Sequence, residues 1–299
     1  TSKAVVLISA VDRGQRFASN GTGSIISEDG LILTNAHVIF NEERKKPFDA
    51  IRGFLKPERV TGNLKKDTSR KFRATLVKYS NRLDLAIIKI QSPQHSNHLP
   101  LLELSDLNRT SIGDPVLAIG HPEQGGLWTL TTGTISSLIE NFDGTRGKDV
   151  FQTETSINKG NSGGPLIDQY GHMVGINSMI ARKGKGGLTI TDVNFSIKST
   201  VAMKWMHSVG YSQHYAMHQE QESSPLKEKH TPTENAGIVP VPTQKPEPTE
   251  IKPEPKQDPP KEPEILTEVR PYKEQDLFEQ VEDELEDMME EMKGRIGSH

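Results

Sequence analysis

The sequence predicts an all-β fold for residues 1–197. Short apolar or alternating runs recur between turn residues, from Ala4–Val11 through Leu85–Ile90 to His172–Ser178. Glu28-Asp29-Gly30 and Asp168-Gln169-Tyr170-Gly171 separate such runs and are typical of hairpin turns. Many short strands with Gly, Asp and Asn between them are typical of a β-barrel or a β-sandwich.

Further runs of the same kind predict the strands in between. In chain order they are Gly23–Ser27, Leu31–Asn35, Ala74–Val77, Pro115–Ile119, Leu130–Ser137, Asp149–Gln152 and Pro165–Asp168. The period then changes, because Val201, Trp205 and Val209 recur every four residues. That spacing places them on one face of a helix over Lys198–Val209.

The composition limits the classes of function. Cysteine is absent from the 299 residues, which excludes disulfides, thiol catalysis and thiolate metal sites but leaves the compartment open. No apolar run approaches the ~18–20 residues that a membrane-spanning helix needs. The start, Thr1–Leu7, has neither the charged region nor the cleavage site of a signal peptide. Either the protein is intracellular, or the numbering begins after a leader was removed.

The charge is divided unevenly along the chain. Residues 1–210 carry a net charge of +7 and residues 211–299 carry −11, which gives the total of −4. One interpretation is a solvated, self-repelling tail. The other is a tail that docks onto the basic segment Arg44–Arg73. Because surface charge attraction is weak and screened by salt, docking would also need apolar contacts.

The last third of the chain differs in kind from the rest. Residues 211–271 contain 12 of the 19 prolines and one glycine, which predicts a stiff polyproline-like linker. Residues 272–299 predict an acidic helix, within which five apolar residues are spaced 3, 4, 3 and 4 apart between 273 and 295. They are Phe278, Val281, Leu285, Met288 and Met292. A helix with so short an apolar stripe needs a partner to pack against. That partner is a copy of the helix, the folded part at residues 1–210 or another protein.

The most informative motif is Gly160-Asn161-Ser162-Gly163-Gly164-Pro165, which stands directly before an apolar run. A serine hydroxyl becomes a good nucleophile when a histidine accepts its proton and backbone N–H groups face the oxyanion that forms. The flanking glycines allow a tight turn and the close approach of a substrate carbonyl. Ser162 is therefore the candidate nucleophile.

A histidine and an aspartate in suitable contexts complete the set. His37 follows the apolar run Leu31–Leu33 and a polar Thr-Asn step, as at the end of a buried strand. Asp84 opens the apolar run Leu85–Ile90, and a carboxylate buried there needs a partner such as an imidazole N–H. The chain order of His, Asp and Ser is that of the chymotrypsin architecture.

These motifs together resemble the trypsin-like serine proteases of the HtrA/Deg kind, over residues 1–210. The matching segments are Gly21–Ser24, Thr34–His37, Asp84–Ala86, Ala118–Pro122, Gly160–Pro165 and Val193–Ile197. One of them departs from the family pattern, because His121 stands where asparagine is usual. The resemblance implies two six-stranded chymotrypsin-like β-barrels with a closing C-terminal helix, before the Pro-rich linker and acidic helix. The linker lacks the apolar content for the PDZ domain that commonly follows in this family.

The resemblance also implies a role for each site residue. Ser162 would attack the scissile carbonyl, His37 would accept and return the proton, and Asp84 would orient His37 and stabilise its cation. The backbone N–H groups of Gly160 and Ser162 would form the oxyanion hole, with Asn161 as a further candidate between them.

Two further predictions concern substrate binding. Ile157 stands where HtrA-like proteases line the S1 pocket with an apolar side chain, so we expect cleavage after Val, Ala or Ile. Core packing is the alternative role for Ile157. Four consecutive residues would pair with an extended substrate by β-augmentation. They are Gly175, Ile176, Asn177 and Ser178.

The remaining motifs have simpler interpretations. Lys183–Gly187 lacks the ending of a phosphate-binding loop and predicts a mobile loop beside the active site, as does Asn141–Lys148. His214 and His218 are four apart, but no further ligand lies near them, so we predict neither a metal nor another cofactor. The basic residues of 44–73 have no interleaved stacking aromatics, which argues against nucleic acid as a partner.

The motifs thus predict a serine endopeptidase, and the family resemblance implies that it cleaves unfolded or misfolded protein in quality control. The family resemblance implies a homotrimer or other homo-oligomer, and a periplasmic or otherwise exported location after loss of a leader. Two alternatives stay open. One is a catalytically silent chaperone or scaffold with the same fold. The other is a dedicated processing protease, targeted through its C-terminal helix at 273–295.

Overall fold

Two closed antiparallel β-barrels form the part of the chain that the structure describes. The structure is a computed structural model, and the described residues are 1–12, 18–91, 99–105, 110–123, 125–178, 182–183, 189–190 and 194–211. The predicted linker at 211–271, apart from Tyr211, and the predicted helix at 272–299 lie outside them.

The first barrel has six strands in the order β1-β2-β3-β8-β7-β6. They are β1 (Val5–Val11), β2 (Ala18–Ile25), β3 (Leu31–Thr34), β6 (Ala50–Leu55), β7 (Lys71–Ser80) and β8 (Leu85–Ile90). All seven residues of β1 are buried. A strand buried on both faces shows no alternation of polar and apolar residues, and the sequence VVLISAV of β1 shows little.

The second barrel also has six strands, in the order β10-β11-β16-β13-β12-β9. They are β9 (Pro115–Gly120), β10 (Thr129–Ile139), β11 (Val150–Thr153), β12 (Pro165–Asp168), β13 (Met173–Ser178) and β16 (Asn194–Lys198). Two closed six-stranded barrels confirm the predicted all-β, chymotrypsin-like fold class.

Two small sheets and three helices complete the described elements. One sheet pairs β4 (Phe40–Asn41) with β5 (Lys46–Pro47), and the other pairs β14 (Arg182–Lys183) with β15 (Thr189–Ile190). The helices are α1 (Ala36–Ile39), α2 (Leu64–Asp67) and α3 (Ser199–Ser208). Short 3-10 turns cover Ser2–Ala4 and Phe142–Gly144. Helix α3 packs on β13 and β16 and buries Val201, Trp205 and Met206, as expected of a closing helix.

The two barrels meet along an apolar contact that contains residues of both. One cluster of buried side chains runs from Val5 and Leu7 of the first barrel to Ile176 and Phe195 of the second. The indole N–H of Trp128 crosses the junction and donates to the Val5 carbonyl at 2.8 Å. This junction is where the predicted site residues lie.

One barrel strand was not predicted from the sequence. Strand β6 lies within the basic segment Arg44–Arg73, and the buried Arg52 and Gly53 interrupt its apolar pattern. Position 53 accommodates only glycine, because the ring of Phe72 on the neighbouring strand occupies the space that a side chain would need. The segment is thus partly barrel wall.

Two features are absent from the described residues. No helix in that part of the chain is long and apolar enough to cross a membrane. In the same residues, no group of three or more His, Cys, Asp or Glu side chains is arranged to hold a metal ion.

Candidate active site

His37 lies on the short turn of helix that follows β3. Strand β3 ends at Thr34, whose hydroxyl donates to the Thr22 carbonyl at 2.7 Å. Asn35 keeps an extended backbone ahead of α1, and its side-chain amide donates to the Asp84 carbonyl at 2.8 Å. These two contacts tie the approach to His37 to strand β2 and to the Asp84 turn.

Asp84 points its carboxylate at His37 from a strained turn. Its backbone has a left-handed φ of 57°, a conformation that aspartate tolerates better than most residues. The His37 ring Nδ1 lies 2.9 Å from Asp84 Oδ1 and 3.0 Å from Oδ2. The His37 backbone N–H also donates to Oδ1, at 3.1 Å, and the Ser178 hydroxyl donates to Oδ2, at 2.8 Å.

These contacts keep the carboxylate charged although it is 8% exposed. Burial alone would raise the pKa of Asp84, but attraction to His37 and hydrogen bonds from His37 and Ser178 hold that pKa below its usual value. An ionised Asp84 requires a proton on His37 Nδ1. The Nε2 atom of the neutral ring is then an acceptor, which is the form that a general base needs.

Ser162 lies in the loop between β11 and β12, and its backbone is fixed on both sides. The Thr22 N–H donates to the Ser162 carbonyl at 2.8 Å, and the Gly163 N–H donates to the Asn177 carbonyl at 2.8 Å. Gly163 has a φ of 83°, and a Cβ there would overlap Thr34 Oγ1 and the Thr22 carbonyl. Only glycine fits where this loop passes the strand that leads to His37.

The segments that carry His37, Asp84 and Ser162 therefore converge at the barrel junction. A Cβ on Gly21 would lie 3.1 Å from the Ser162 carbonyl oxygen and 2.6 Å from Val38, the residue after His37. On the other side of the loop, Gly163 bonds to Asn177, whose neighbour Ser178 bonds to Asp84.

The predicted oxyanion loop, residues 159–162, has two backbone carbonyls that are held by hydrogen bonds. The Lys159 carbonyl accepts from the Glu123 N–H at 2.8 Å, and the Gly160 carbonyl accepts from the Thr22 hydroxyl at 2.7 Å. In a trans peptide the N–H points opposite to the C=O, so the Gly160 N–H faces away from Glu123. Gly160 adopts a φ of 97°, which only glycine reaches without strain.

The N–H of Asn161 is used inside the loop, where it donates to the Asn158 carbonyl at 2.9 Å. This corrects the expectation that Asn161 offers a further donor and leaves Gly160 and Ser162 as the candidates. The Asn161 side chain is 2% exposed and lies against Gly120, where a Cβ would meet its Cγ at 2.8 Å. Asn161 thus packs the loop onto the second barrel.

Ile157 is 3% exposed, yet it belongs to neither of the two apolar clusters found among the described residues. A buried apolar side chain outside the barrel cores is compatible with the wall of a binding pocket. Its burial fits core packing equally, so the role of Ile157 in a pocket stays a prediction.

The expectation that β13 pairs with substrate is wrong for Gly175, Ile176 and Asn177. Strand β13 lies between β12 and β16, so both of its edges are already hydrogen-bonded. Ser178 ends the strand and donates its hydroxyl to Asp84. The prediction placed the substrate strand in the barrel wall, because an apolar run does not show whether its edges are already paired.

The other predicted loops are only partly within the described residues. Asn141–Lys148 closes on itself, because Gly147 N–H donates to the Asn141 side chain at 2.7 Å and Phe142 N–H donates to the Lys148 carbonyl at 2.7 Å. The ring of Phe142 packs on Phe195 in the core. Residues 184–187 of the glycine-rich loop, together with His214 and His218, lie outside the described residues.

Sequence reasoning missed the supporting roles of Thr22, His121 and Ser178. His121 Nδ1 lies 2.9 Å from Thr22 Oγ1, and the imidazole is 1% exposed. Burial lowers the pKa of His121 to about 3, so the ring is neutral. A departure from the family's usual residue marked His121 in the sequence, but no local pattern indicated that it contacts Thr22.

A pair of six-stranded barrels with a His–Asp pair and a serine loop at their junction defines the class of chymotrypsin-fold peptidases. Comparison with known proteins agrees. The sequence profile described as "Trypsin-like peptidase domain" matches residues 21–176, more than half of the chain. The chain therefore belongs to the trypsin-like peptidase family, and its relatives are of the HtrA/DegP type.

Two curated relatives and one solved structure illustrate the similarity. The chain is 37% identical over 191 residues to a "Probable periplasmic serine endoprotease DegP-like" of Marinomonas sp., and 36% identical over 193 residues to "Serine protease HTRA1" of Xenopus laevis. These matches cover 64% and 63% of this chain but 35% and 36% of the relatives. The chain thus spans about a third of their length.

The solved structure is "HtrA-type protease AlgW with tripeptide", which is 32% identical to this chain, with a TM-score of 0.56. The match covers 72% of this chain and 62% of that one. It extends the sequence similarity to the three-dimensional fold.

Proposed function

We propose that this protein is a serine endopeptidase with His37, Asp84 and Ser162 as its catalytic residues. The observation that carries the proposal is the buried Asp84 carboxylate. It accepts the His37 ring N–H and the Ser178 hydroxyl, beside a serine loop that hydrogen bonds fix to both barrels. A buried charge with partners of this kind in a junction is typical of a reactive site.

The residues support an acyl-enzyme mechanism. His37 Nε2 accepts the proton of the Ser162 hydroxyl as the oxygen attacks the substrate carbonyl, and later donates it to the leaving amine. Asp84 stabilises the imidazolium that forms in between. The N–H groups of Gly160 and Ser162 stabilise the oxyanion, and each such donor is worth about 10²–10³ in rate.

The proposed substrate is unfolded or misfolded protein, cleaved after small or medium aliphatic residues. Ile157 supports the aliphatic preference, because it is buried outside the barrel cores and contributes no charge that would select Lys or Arg. A quality-control role, a homo-oligomer and a periplasmic or exported location are carried over from the HtrA/DegP-type relatives. One of these relatives is named as periplasmic.

A fluorophosphonate probe tests the catalytic assignment. We expect labelling of the wild type, mapped to Ser162 by mass spectrometry, and none of Ser162→Ala. Absence of labelling in a folded wild type, with and without added unfolded protein, would instead favour the silent scaffold.

Fragment mapping tests the specificity. Digestion of an unfolded test protein should yield new C-termini that end in Val, Ala or Ile. Predominant cleavage after Lys or Arg would contradict the proposed role of Ile157, while leaving the catalytic assignment in place.

A further inference from the structure

We propose that Thr22 and His121 form a positioning pair that fixes the Gly160–Asn161 peptide, which links the two predicted oxyanion donors, the N–H groups of Gly160 and Ser162. This inference rests on the proposed peptidase function and assigns residues outside the catalytic triad to it. Neither residue is assigned a contact with the reacting atoms. They act through the backbone of the oxyanion loop.

The hydrogen bonds of Thr22 have one consistent assignment. Its hydroxyl has a single proton, and the Gly160 carbonyl, 2.7 Å away, can only accept it. Thr22 Oγ1 must therefore accept from His121 Nδ1, at 2.9 Å. The result is a directed chain in which His121 Nδ1–H donates to Thr22 and Thr22 donates to Gly160. Both side chains are at most 1% exposed, so water does not compete.

The His121 ring is itself held in place. It packs edge-on against Trp128, with ring centroids 4.8 Å apart and planes at 77°. Trp128 is in turn hydrogen-bonded to the Val5 carbonyl of the first barrel. The imidazole is therefore anchored to both barrels and presents Nδ1 to Thr22 in one orientation.

The turn that carries His121 also contacts the preceding peptide of the oxyanion loop. Two residues beyond His121, Glu123 donates its backbone N–H to the Lys159 carbonyl at 2.8 Å, and its side chain pairs with Lys159 at 3.3 Å. The turn thus holds the Lys159 carbonyl directly and the Gly160 carbonyl through Thr22, which His121 contacts. The first peptide plane sets the direction of the Gly160 N–H. The two planes together fix φ and ψ of Gly160, and hence the path that the loop takes from the Gly160 N–H towards the Ser162 N–H.

Loss of one of these two restraints releases the second peptide plane. Without the Thr22 hydroxyl, the Gly160 carbonyl loses its partner, and glycine has no Cβ to restrict the rotation that follows. A rotated loop weakens oxyanion stabilisation but leaves the pocket for the substrate side chain in place. The substitution should therefore lower kcat and leave KM nearly unchanged.

The test compares acylation by a fluorophosphonate, and kcat and KM on a peptide with Val at P1, across a small set of variants. Thr22→Val removes the hydroxyl at constant shape and should slow acylation about 10²-fold, with KM unchanged within about threefold. Thr22→Ser, which returns the hydroxyl, should restore most of the rate. His121→Phe keeps a ring but removes Nδ1–H and should slow acylation about 10-fold.

A matched control separates positioning from a general loss of stability. Thr68 is also buried and donates its hydroxyl to a backbone carbonyl, that of Leu64 at 2.7 Å, in the α2 turn of the first barrel. Thr68→Val removes an equivalent bond away from the oxyanion loop. It should lower the urea midpoint by as much as Thr22→Val does, while its acylation rate stays that of the wild type.

The outcomes distinguish this proposal from the proposed function. If the folded wild type does not react with the probe, the peptidase assignment fails. If the wild type reacts and folded Thr22→Val reacts equally fast, the positioning pair is refuted and the peptidase stands. Should Thr22→Val fail to fold, His121→Phe carries the same expectation, and an unchanged rate in that variant refutes the pair.

Discussion

The buried His121 should make folding stability sensitive to mild acid. The ring is 1% exposed, and burial lowers its pKa from 6.5 to about 3. Above pH 6.5 both the folded and the unfolded chain carry a neutral ring. Below pH 6.5 the unfolded chain binds a proton that the folded chain does not, so the free energy of unfolding decreases as the pH falls towards 3.

The size of the effect follows from proton linkage. Each pH unit between the two pKa values removes about 1 kcal/mol of stability. Between pH 7.5 and 5.5, only the one pH unit from 6.5 to 5.5 lies below the pKa of the unfolded chain. His121 alone should therefore lower the free energy of unfolding by about 1 kcal/mol over this range. Other groups titrate in the same range, and a substitution at this position isolates the contribution of His121.

The assay is urea unfolding of a pair of proteins at the two pH values. Both carry Ser162→Ala to prevent self-cleavage, and one also carries His121→Asn, which does not titrate. The double variant should be less stable at pH 7.5, because a buried ring is lost, but should lose about 1 kcal/mol less on acidification. Equal losses in the two proteins would refute the reasoning.

Three further predictions concern single side chains around the junction. Ser178→Ala removes a hydrogen bond that lowers the pKa of Asp84. Activity should therefore fall about 10-fold, and the acid limb of the pH–rate profile should move to higher pH. An unchanged profile would contradict this. Gly160→Ala places a methyl group against the His121 carbonyl, at a backbone φ of 97° that favours glycine. The variant should still melt cooperatively but should not be labelled by the fluorophosphonate. Labelling at the wild-type rate would contradict this. Trp128→Phe leaves a buried carbonyl without its donor and should lower the free energy of unfolding by about 1–3 kcal/mol in urea, whereas no change would mean that water replaces the indole.

The sequence was informative where a function depends on residue type and chain order. Ser162 between glycines, His37 after a strand and Asp84 before one were each predicted, and the structure brings their segments together. Ten of the twelve barrel strands were located from their apolar runs, and β16 from the family resemblance. Only β6 was missed, because Arg52 and Gly53 lie in the barrel wall and break the pattern.

Contacts between distant segments could not be predicted in the same way. Thr22 and His121 are 99 positions apart, and nothing in either local sequence indicates that a hydroxyl meets an imidazole. The substrate strand was misplaced for a related reason. The pairing of β13 with both β12 and β16 is a property of barrel closure, and the composition of β13 does not reveal it.

The position of Ser162 between the barrels has a consequence for biosynthesis. The loop takes one anchor from Thr22, near the start of the chain, and another from Asn177, which emerges from the ribosome some 150 residues later. A nascent chain with only its first half folded holds His37 and Asp84 but no nucleophile beside them. On the proposed function, activity therefore has to wait until the second barrel docks onto the first.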